Sequence, residues 1–282
     1  MVEIITAKTA GFCFGVKNAV DRAFALADEC EELYTFGPVI HNSEVISRLE
    51  EKGARILNSE EELAALTSGT ILLRSHGVTR HVMEILKEKG LSYVDATCPF
   101  VNRIHEVVDR ESVEKQIVIA GNPSHPEVLG IMGWCRTPAT VLSTEEEAES
   151  FEPDERKNVC VVAQTTFNLM KFEKIVEIFK KKSYYVSIVN TICNATARHQ
   201  EEARSIAESV DAMIVIGDRK SSNSRKLYEI CREVCEKTDF VQTAADLTLK
   251  QDGSIHAVGI TAGASTPNYI IEEVQKHVGR EF

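Results

Sequence analysis

The sequence predicts an α/β fold of three similar lobes with mainly parallel sheets. Short runs rich in β-branched residues alternate with amphipathic segments of roughly ten to fifteen residues, a pattern typical of repeated βα units. Three cysteines also recur at a coarse period, since Cys13, Cys98 and Cys193 are separated by 85 and 95 residues. One third of the 282-residue chain is 94 residues, so the period matches a threefold division.

Seven apolar or β-branched runs are the clearest strand candidates, because polar residues, Gly or Pro follow each of them. In chain order they are 3–6, 70–74, 116–120, 158–163, 185–189, 212–216 and 257–261. Segments 15–27 and 223–236 have the spacing of amphipathic helices, and the second places Leu227, Ile230 and Cys231 on one apolar stripe.

The predicted lobes follow from the chain length and the cysteine period. A single hydrophobic core is near its practical size limit at 282 residues, which favours division. We expect a first lobe at 1–97 that includes the N-terminal strand and Cys13, a second at 98–192 and a third at 193–282.

Composition excludes several classes of function. The net charge of −11 argues against a protein that binds nucleic acid or an anionic membrane through bulk electrostatics. No stretch approaches the roughly 18 apolar residues of a membrane span, and the first fifteen residues lack the features of a signal peptide. We therefore expect a cytoplasmic protein, without a nucleic-acid or membrane partner, that is a monomer.

The eight cysteines fall into two groups, and their density is far below that of a disulfide scaffold. Five have an ordinary explanation as core or unpaired thiols, namely Cys30, Cys135, Cys160, Cys231 and Cys235.

Cys13, Cys98 and Cys193 differ from the others because turn residues flank each of them and none belongs to an apolar period. Soft thiolates of this kind favour zinc or an iron–sulfur cluster. Three ligands would leave one metal position open for substrate, as in catalytic sites. Spacing alone leaves two possibilities, an open metal centre or three buried thiols.

Polar side chains follow almost every predicted strand, at the edge where ligands of parallel sheets bind. Histidines, hydroxyls and amides of this kind can hold phosphate oxygens, and a helix N-terminus adds backbone N–H groups. The candidates are His41, His76, His125, Ser221, Ser222, Asn223 and Ser265. Simple helix capping is the alternative for the serines.

Glu127, close to His125 and beside a proline-fixed turn, is the best-placed carboxylate for proton transfer. Neither a Gly-x-Gly-x-x-Gly nor a P-loop motif occurs, so the sequence does not support a nicotinamide or P-loop nucleotide site.

Nine segments in a fixed order together resemble the family of 4-hydroxy-3-methylbut-2-enyl diphosphate reductases, iron–sulfur enzymes that end the methylerythritol phosphate route to isoprenoids. The resemblance covers essentially the whole chain. The segments are GFCFGVK at 11–17, GPVIHN at 37–42, RSHGV at 74–78, DATCPFV at 95–101, HPEV at 125–128, QTT at 164–166, CNAT at 193–196, SSNS at 221–224 and TAGAS at 261–265.

The resemblance implies three lobes around a central 4Fe-4S cluster, with Cys13, Cys98 and Cys193 as ligands and one iron left open for substrate. It implies that Glu127 supplies protons with Thr165 beside it, and that the histidine, serine and asparagine candidates bind diphosphate. The implied reaction removes the substrate hydroxyl by two-electron reduction, giving isopentenyl and dimethylallyl diphosphate and water. Electrons would come from an external donor such as ferredoxin or flavodoxin.

Two alternatives to a reductase remain at this point. A non-redox 4Fe-4S dehydratase also needs three cysteines and an open iron, although the diphosphate-binding candidates argue against a carboxylic acid substrate. A non-catalytic cluster sensor is the other alternative, and no DNA-binding motif or basic patch supports it.

Overall fold

Twelve parallel strands occur in the computed structural model, which describes residues 2–154, 158–182, 185–251 and 253–281. The strands are β1 (Glu3–Thr6), β2 (Leu33–Phe36), β3 (Arg55–Leu57), β4 (Thr70–Leu73), β5 (Ser92–Asp95), β6 (Lys115–Ala120), β7 (Thr140–Leu142), β8 (Asn158–Ala163), β9 (Val186–Ile188), β10 (Ala212–Ile216), β11 (Thr238–Val241) and β12 (Ala257–Ala262). They form three four-stranded sheets, in the orders β3-β2-β4-β5, β7-β6-β8-β9 and β1-β12-β10-β11.

Helices connect the parallel strands, as such sheets require. The described helices are α1 (Phe14–Glu29), α2 (Ser43–Glu51), α3 (Glu60–Ala65), α4 (Arg80–Lys89), α5 (Pro99–Glu111), α6 (Pro126–Trp134), α7 (Glu145–Ser150), α8 (Leu169–Lys181), α9 (Asn194–Ala207), α10 (Ser222–Val234) and α11 (Asn268–Glu281). Among them, none combines the length and apolar character that crossing a membrane requires.

The central strands are buried on both faces, which explains their almost uninterrupted apolar sequences. Every residue of β10 is buried, and so are the last four of β6 and the last five of β8. Phe172, Ile175 and Phe179 of α8 cover one face of the β6–β8 sheet. Ile104 and Val108 of α5 belong to the core on its other face.

The predicted α/β class with three parallel-sheet lobes is confirmed, but the N-terminal strand lies in a different sheet from the one expected. Glu3 of β1 pairs with Ala257 and Thr6 with Ile260, so β1 belongs with the C-terminal third and not with the lobe 1–97. The first strand was assigned to the first lobe only because it comes first in the sequence. The C-terminal third supplies three strands, and β1 completes that sheet as an edge strand that is itself only partly buried.

Contacts divide the chain into two units. Unit 1 contains the residues up to 16, residues 41–43 and those from 193 onward, and includes the β1-β12-β10-β11 sheet. Unit 2 contains residues 17–40 and 44–192 and includes the other two sheets.

The two lobes of unit 2 are joined around Trp134 at the end of α6. Its indole Nε1 donates to the Val78 carbonyl at 2.8 Å. The Arg80 guanidinium lies 4.8 Å from the ring centroid and pairs with Asp109 of α5. The half-buried ring and this cation–π contact link α4, α5 and α6.

Candidate active site

The three regularly spaced cysteines each lie directly before the first residue of a helix. Cys13 precedes α1, Cys98 precedes α5 and Cys193 precedes α9. All three are half-buried, and no disulfide joins the described cysteines. Neither Cys98 nor Cys193 uses its sulfur to cap its helix. Helix N-termini present unsatisfied N–H groups and the positive end of the macrodipole, which offset part of the cost of burying a negative metal-ligating sulfur at these positions.

Unit 1 brings two of these cysteines near each other. Burial raises the pKa of the Cys13 thiol, the backbone N–H groups of Val16 and Gly15 oppose that shift, and the charge of Cys193 raises the pKa further. The Cys13 N–H also donates to the Ala264 carbonyl at 3.4 Å, which places the turn after β12 beside this thiol.

A second group in unit 1 surrounds the N-terminus of α10. Ser221 caps the helix, because its Oγ accepts from the Ser224 N–H at 3.3 Å. Ser265 Oγ donates to Ser221 Oγ at 3.2 Å, so turns from two neighbouring strands meet here. A Cβ at either Gly217 or Gly263 would overlap the Ser224 side chain, and both strand ends therefore need glycine to approach the helix this closely.

Ser222 and Asn223 lie in the buried first turn of α10. Neither Oδ1 nor Nδ2 of Asn223 has a hydrogen-bond partner among the described residues. An unsatisfied buried amide is costly, and a ligand with acceptor and donor atoms would remove that cost. Asn223 therefore has polar atoms that capping of α10 does not use, whereas the contacts of Ser221 and Ser265 are those of a cap.

Asp218 is a buried residue of unit 1 that the sequence analysis missed. Its Oδ1 accepts from the Lys220 N–H at 2.7 Å and its Oδ2 from the Ser43 N–H at 3.0 Å. The carboxylate thereby fixes the segment that carries His41 beside the turn before α10. An acidic residue directly after an apolar strand was the available signal, but its partner is remote in sequence.

Unit 2 contains the other predicted histidines. The rings of His76 and His125 are 5.3 Å apart between centroids, at an interplanar angle of 80°. The Cys98 N–H donates to the Ser75 carbonyl at 3.0 Å, so Cys98 lies next to the turn that contains His76. Two predicted phosphate-binding histidines and one predicted metal ligand thus lie in adjoining turns of unit 2.

His125 caps α6 through its ring. Nδ1 accepts from the Glu127 N–H at 3.1 Å. A ring nitrogen that accepts carries no proton, so in the neutral tautomer the proton is on Nε2, where it can be donated to a ligand.

Glu127 is fully enclosed and is held by Thr165. The Thr165 N–H donates to Oε1 at 2.5 Å, and the Thr165 hydroxyl donates to Oε2 at 2.7 Å. Burial raises the pKa of Glu127 to about 7, with the two Thr165 hydrogen bonds acting in the opposite direction. A carboxyl with this pKa can give up a proton near neutral pH.

Gln164 supports this arrangement, and the sequence indicated it only as the first residue of the QTT segment at 164–166. Its Oε1 accepts from the Asn122 N–H at 3.1 Å, and its Nε2 donates to Thr166 Oγ1 at 3.1 Å. The buried amide therefore links the turn before α6 to the turn that carries Thr165.

The predicted site residues thus form two local sets. Unit 1 holds Cys13, His41, Cys193, Ser221, Ser222, Asn223 and Ser265, and unit 2 holds His76, Cys98, His125, Glu127 and Thr165. Of the five cysteines predicted as core thiols, Cys160, Cys231 and Cys235 are buried, whereas Cys30 and Cys135 are only half-buried.

The family model described as LytB protein matches residues 4–279. The chain belongs to the LytB family. This LytB chain is 42% identical over 277 residues to a protein of Caldanaerobacter subterraneus subsp. tengcongensis named 4-hydroxy-3-methylbut-2-enyl diphosphate reductase, covering 97% of this chain and 95% of that one. A protein of the same name from Geobacter metallireducens is 41% identical over 278 residues, with 98% and 97% covered.

Two solved structures have folds similar to that of this LytB chain. The E-1-hydroxy-2-methyl-but-2-enyl-4-diphosphate reductase of Plasmodium falciparum is similar with a TM-score of 0.90 and 26% identity, covering 99% of this chain and 87% of that one. A structure of (E)-4-hydroxy-3-methyl-but-2-enyl diphosphate reductase has a TM-score of 0.67 and 40% identity, with 99% and 100% covered. The family resemblance inferred from the nine segments is confirmed.

Proposed function

We propose that this chain reduces 4-hydroxy-3-methylbut-2-enyl diphosphate to isopentenyl and dimethylallyl diphosphate. Two electrons and two protons enter, the carbon–oxygen bond of the hydroxyl breaks, and that oxygen leaves as water. The buried pair of Glu127 and Thr165, beside two histidines in a family of reductases, is the observation that carries the proposal.

The cofactor of this proposal is one 4Fe-4S cluster bound by Cys13, Cys98 and Cys193, with its fourth iron open. The donor set fits, because each thiol is half-buried at a helix N-terminus, where backbone N–H groups and the macrodipole offset part of the cost of burying negative sulfur. When bound, such a cluster supplies the electrons and a Lewis-acidic iron.

The diphosphate is bound by donors and not by bulk positive charge, in keeping with the net charge of −11. Asn223 supplies an amide whose polar atoms lack protein partners among the described residues, and His125 supplies an Nε2–H. Charge-assisted hydrogen bonds to phosphate oxygens are roughly twice as strong as neutral ones. The proposed set is His41, His76, His125, Ser221, Ser222, Asn223 and Ser265, with Thr165 a further contact to the substrate.

Glu127 holds the proton for the reaction. Its enclosure excludes water, and its pKa of about 7 keeps a substantial protonated fraction near neutrality. Thr165 Oγ1, 2.7 Å from Oε2, is placed to pass a proton between this carboxyl and the substrate. Of the two protons consumed, one leaves in water and one ends on carbon.

The partners of this proposal are the small allylic diphosphate and an external electron donor of the ferredoxin or flavodoxin type, acting on a monomer. Each turnover of the proposed reduction consumes two electrons, so an external donor has to resupply them.

Turnover is the test of the function. Anaerobically loaded protein with reduced methyl viologen should consume the hydroxylated diphosphate and release both isoprenoid diphosphates, detected by mass spectrometry. A dehydratase would act without reductant, and a sensor would not turn over. Failure to consume the substrate with an intact cluster and excess reductant would exclude the proposal.

A further inference from the structure

Glu202 of α9 is bonded to the loop between β1 and α1. Its Oε1 accepts from the Lys8 N–H at 2.9 Å. Its Oε2 accepts from both the N–H and the hydroxyl of Thr9, at 2.8 and 2.6 Å. One carboxylate therefore satisfies three donors that lie more than 190 residues away in sequence, all within unit 1.

The loop that Glu202 holds ends at Cys13, and its other anchors are few. The Ala7 N–H donates to the Ile260 carbonyl at 2.8 Å, and the Cys13 N–H reaches Ala264 only at 3.4 Å. Gly11, with φ of +100°, lies against α11, where a Cβ would come 2.8 Å from Asn268 Oδ1. Hydrogen bonds to a charged carboxylate are stronger than neutral ones, so Glu202 is the strongest polar attachment of this loop to α9.

We propose that Glu202 is a positioning residue that fixes Cys13 relative to Cys193. The helix that carries Glu202 begins directly after Cys193, so a rigid element of nine residues links the two. The inference rests on the proposed function, in which both thiols bind one cluster. Beyond that function, we infer that the Glu202 carboxylate sets the position of Cys13 relative to Cys193 before any metal is bound.

The three donors require a carboxylate specifically. A glutamine has one acceptor oxygen, and in either orientation its NH2 group would face at least one N–H donor of the loop. His199, on the preceding turn, offers no alternative anchor: it is buried, burial lowers its pKa, and its Nδ1 has no partner in the described part of the chain.

The experiment compares Glu202→Gln and Glu202→Asp with Glu201→Gln, a matched control at the exposed neighbouring position. Cluster-free protein is alkylated with iodoacetamide, and the rates at Cys13 and Cys193 are followed by peptide mass spectrometry. We expect Glu202→Gln to raise the alkylation rate of Cys13 about fivefold or more, which corresponds to about 1 kcal/mol. The alkylation rate of Cys193 should change much less. Glu202→Asp keeps the charge and should fall between wild type and Glu202→Gln.

The same variants are then loaded anaerobically with iron and sulfide. We expect Glu202→Gln to hold less cluster, or a cluster with an altered electron paramagnetic resonance spectrum, while its melting temperature stays close to that of the control. An unchanged Cys13 rate together with an unchanged spectrum would overturn the inference and leave the reductase proposal intact. A wild-type protein that binds no cluster would remove the proposed function, whereas the alkylation rates would still decide whether Glu202 positions Cys13.

A second variant keeps the test valid if Glu202→Gln fails to fold. Thr9→Val removes one of the three donors and leaves both N–H contacts in place. It should accelerate Cys13 alkylation by a smaller factor than Glu202→Gln would, and equal rates in Thr9→Val, Glu201→Gln and wild type would contradict the proposal.

Discussion

Thr165 donates to both oxygens of Glu127, through its backbone N–H and its hydroxyl. The N–H can only donate, whereas the hydroxyl can donate to the carboxylate or accept from the protonated acid. Because the heavy atoms need not move between these states, the pair can carry a proton or release it without rearranging the turn. That property suits a buried group whose pKa is raised to about 7.

We predict that Glu127→Gln stops reduction while it preserves the cluster and substrate binding. The amide is isosteric but has no proton to give, and loss of a general acid costs about 10²- to 10⁴-fold in rate. Iron content, substrate affinity and kcat measured on one preparation test this, with the exposed Glu106→Gln as control. An unchanged kcat in Glu127→Gln would refute the proton-donor role.

The raised pKa of Glu127 predicts a specific pH dependence of stability. The folded state binds this proton more tightly than the unfolded state, so the contribution is fully favourable below the unfolded value near 4.5 and is lost as pH rises through about 7. Relative to Glu127→Gln, the wild type should therefore lose stability between pH 5 and 8, by on the order of 3 kcal/mol. The melting temperatures of both proteins are measured across this pH range. If the two curves of melting temperature against pH are parallel, the pKa of Glu127 is not raised.

Cys98→Ser should lower bound iron and reductase activity together. A serine hydroxyl is a poor ligand for iron in place of a thiolate, and the position is half-buried before α5. Cys30→Ser is the matched control, since Cys30 is also half-buried but is not among the proposed ligands. Full iron occupancy with unchanged spectra in Cys98→Ser would show that this thiol is not a ligand.

Asn223→Ala should separate substrate binding from stability. Its amide makes no hydrogen bond with the described residues, so truncation should leave the melting temperature unchanged or slightly raised. The KM for the diphosphate should rise about tenfold or more, since a hydrogen bond to a charged ligand is worth about 1.5–3 kcal/mol. A large drop in melting temperature with an unchanged KM would instead mean that Asn223 serves the fold.

Most central strands were predictable from the sequence, although the buried central strand β2 was not singled out, and several edge strands were not predictable. β6, β8 and β10 are long apolar runs because both of their faces are covered. The strands that the sequence analysis did not single out, such as β3, β5 and β7, are three or four residues long and only partly buried. An edge strand shares half as many ladder contacts, so its sequence carries a weaker pattern.

The residues with chemistry of their own were predictable, and those that support them were not. Cys98 and Cys193 lie in motifs that contain turn residues, and a helix begins at the residue after each of them. Asp218, Gln164 and Glu202 look like ordinary polar residues in sequence, because their importance lies in backbone N–H groups far along the chain. Periodicity and motif spacing contain no information about such partners, and only the folded structure identifies them.

The pairing of β1 with β12 also sets the order of events during synthesis. The strand that leads to Cys13 is made well before its hydrogen-bonding partner at Ala257–Ala262. A ribosome-bound chain therefore exposes the first thiol long before its sheet can form. If Cys13 is a cluster ligand as proposed, the sheet that positions it is complete only after β12 is made, and until then the thiol depends on a reducing environment to stay intact.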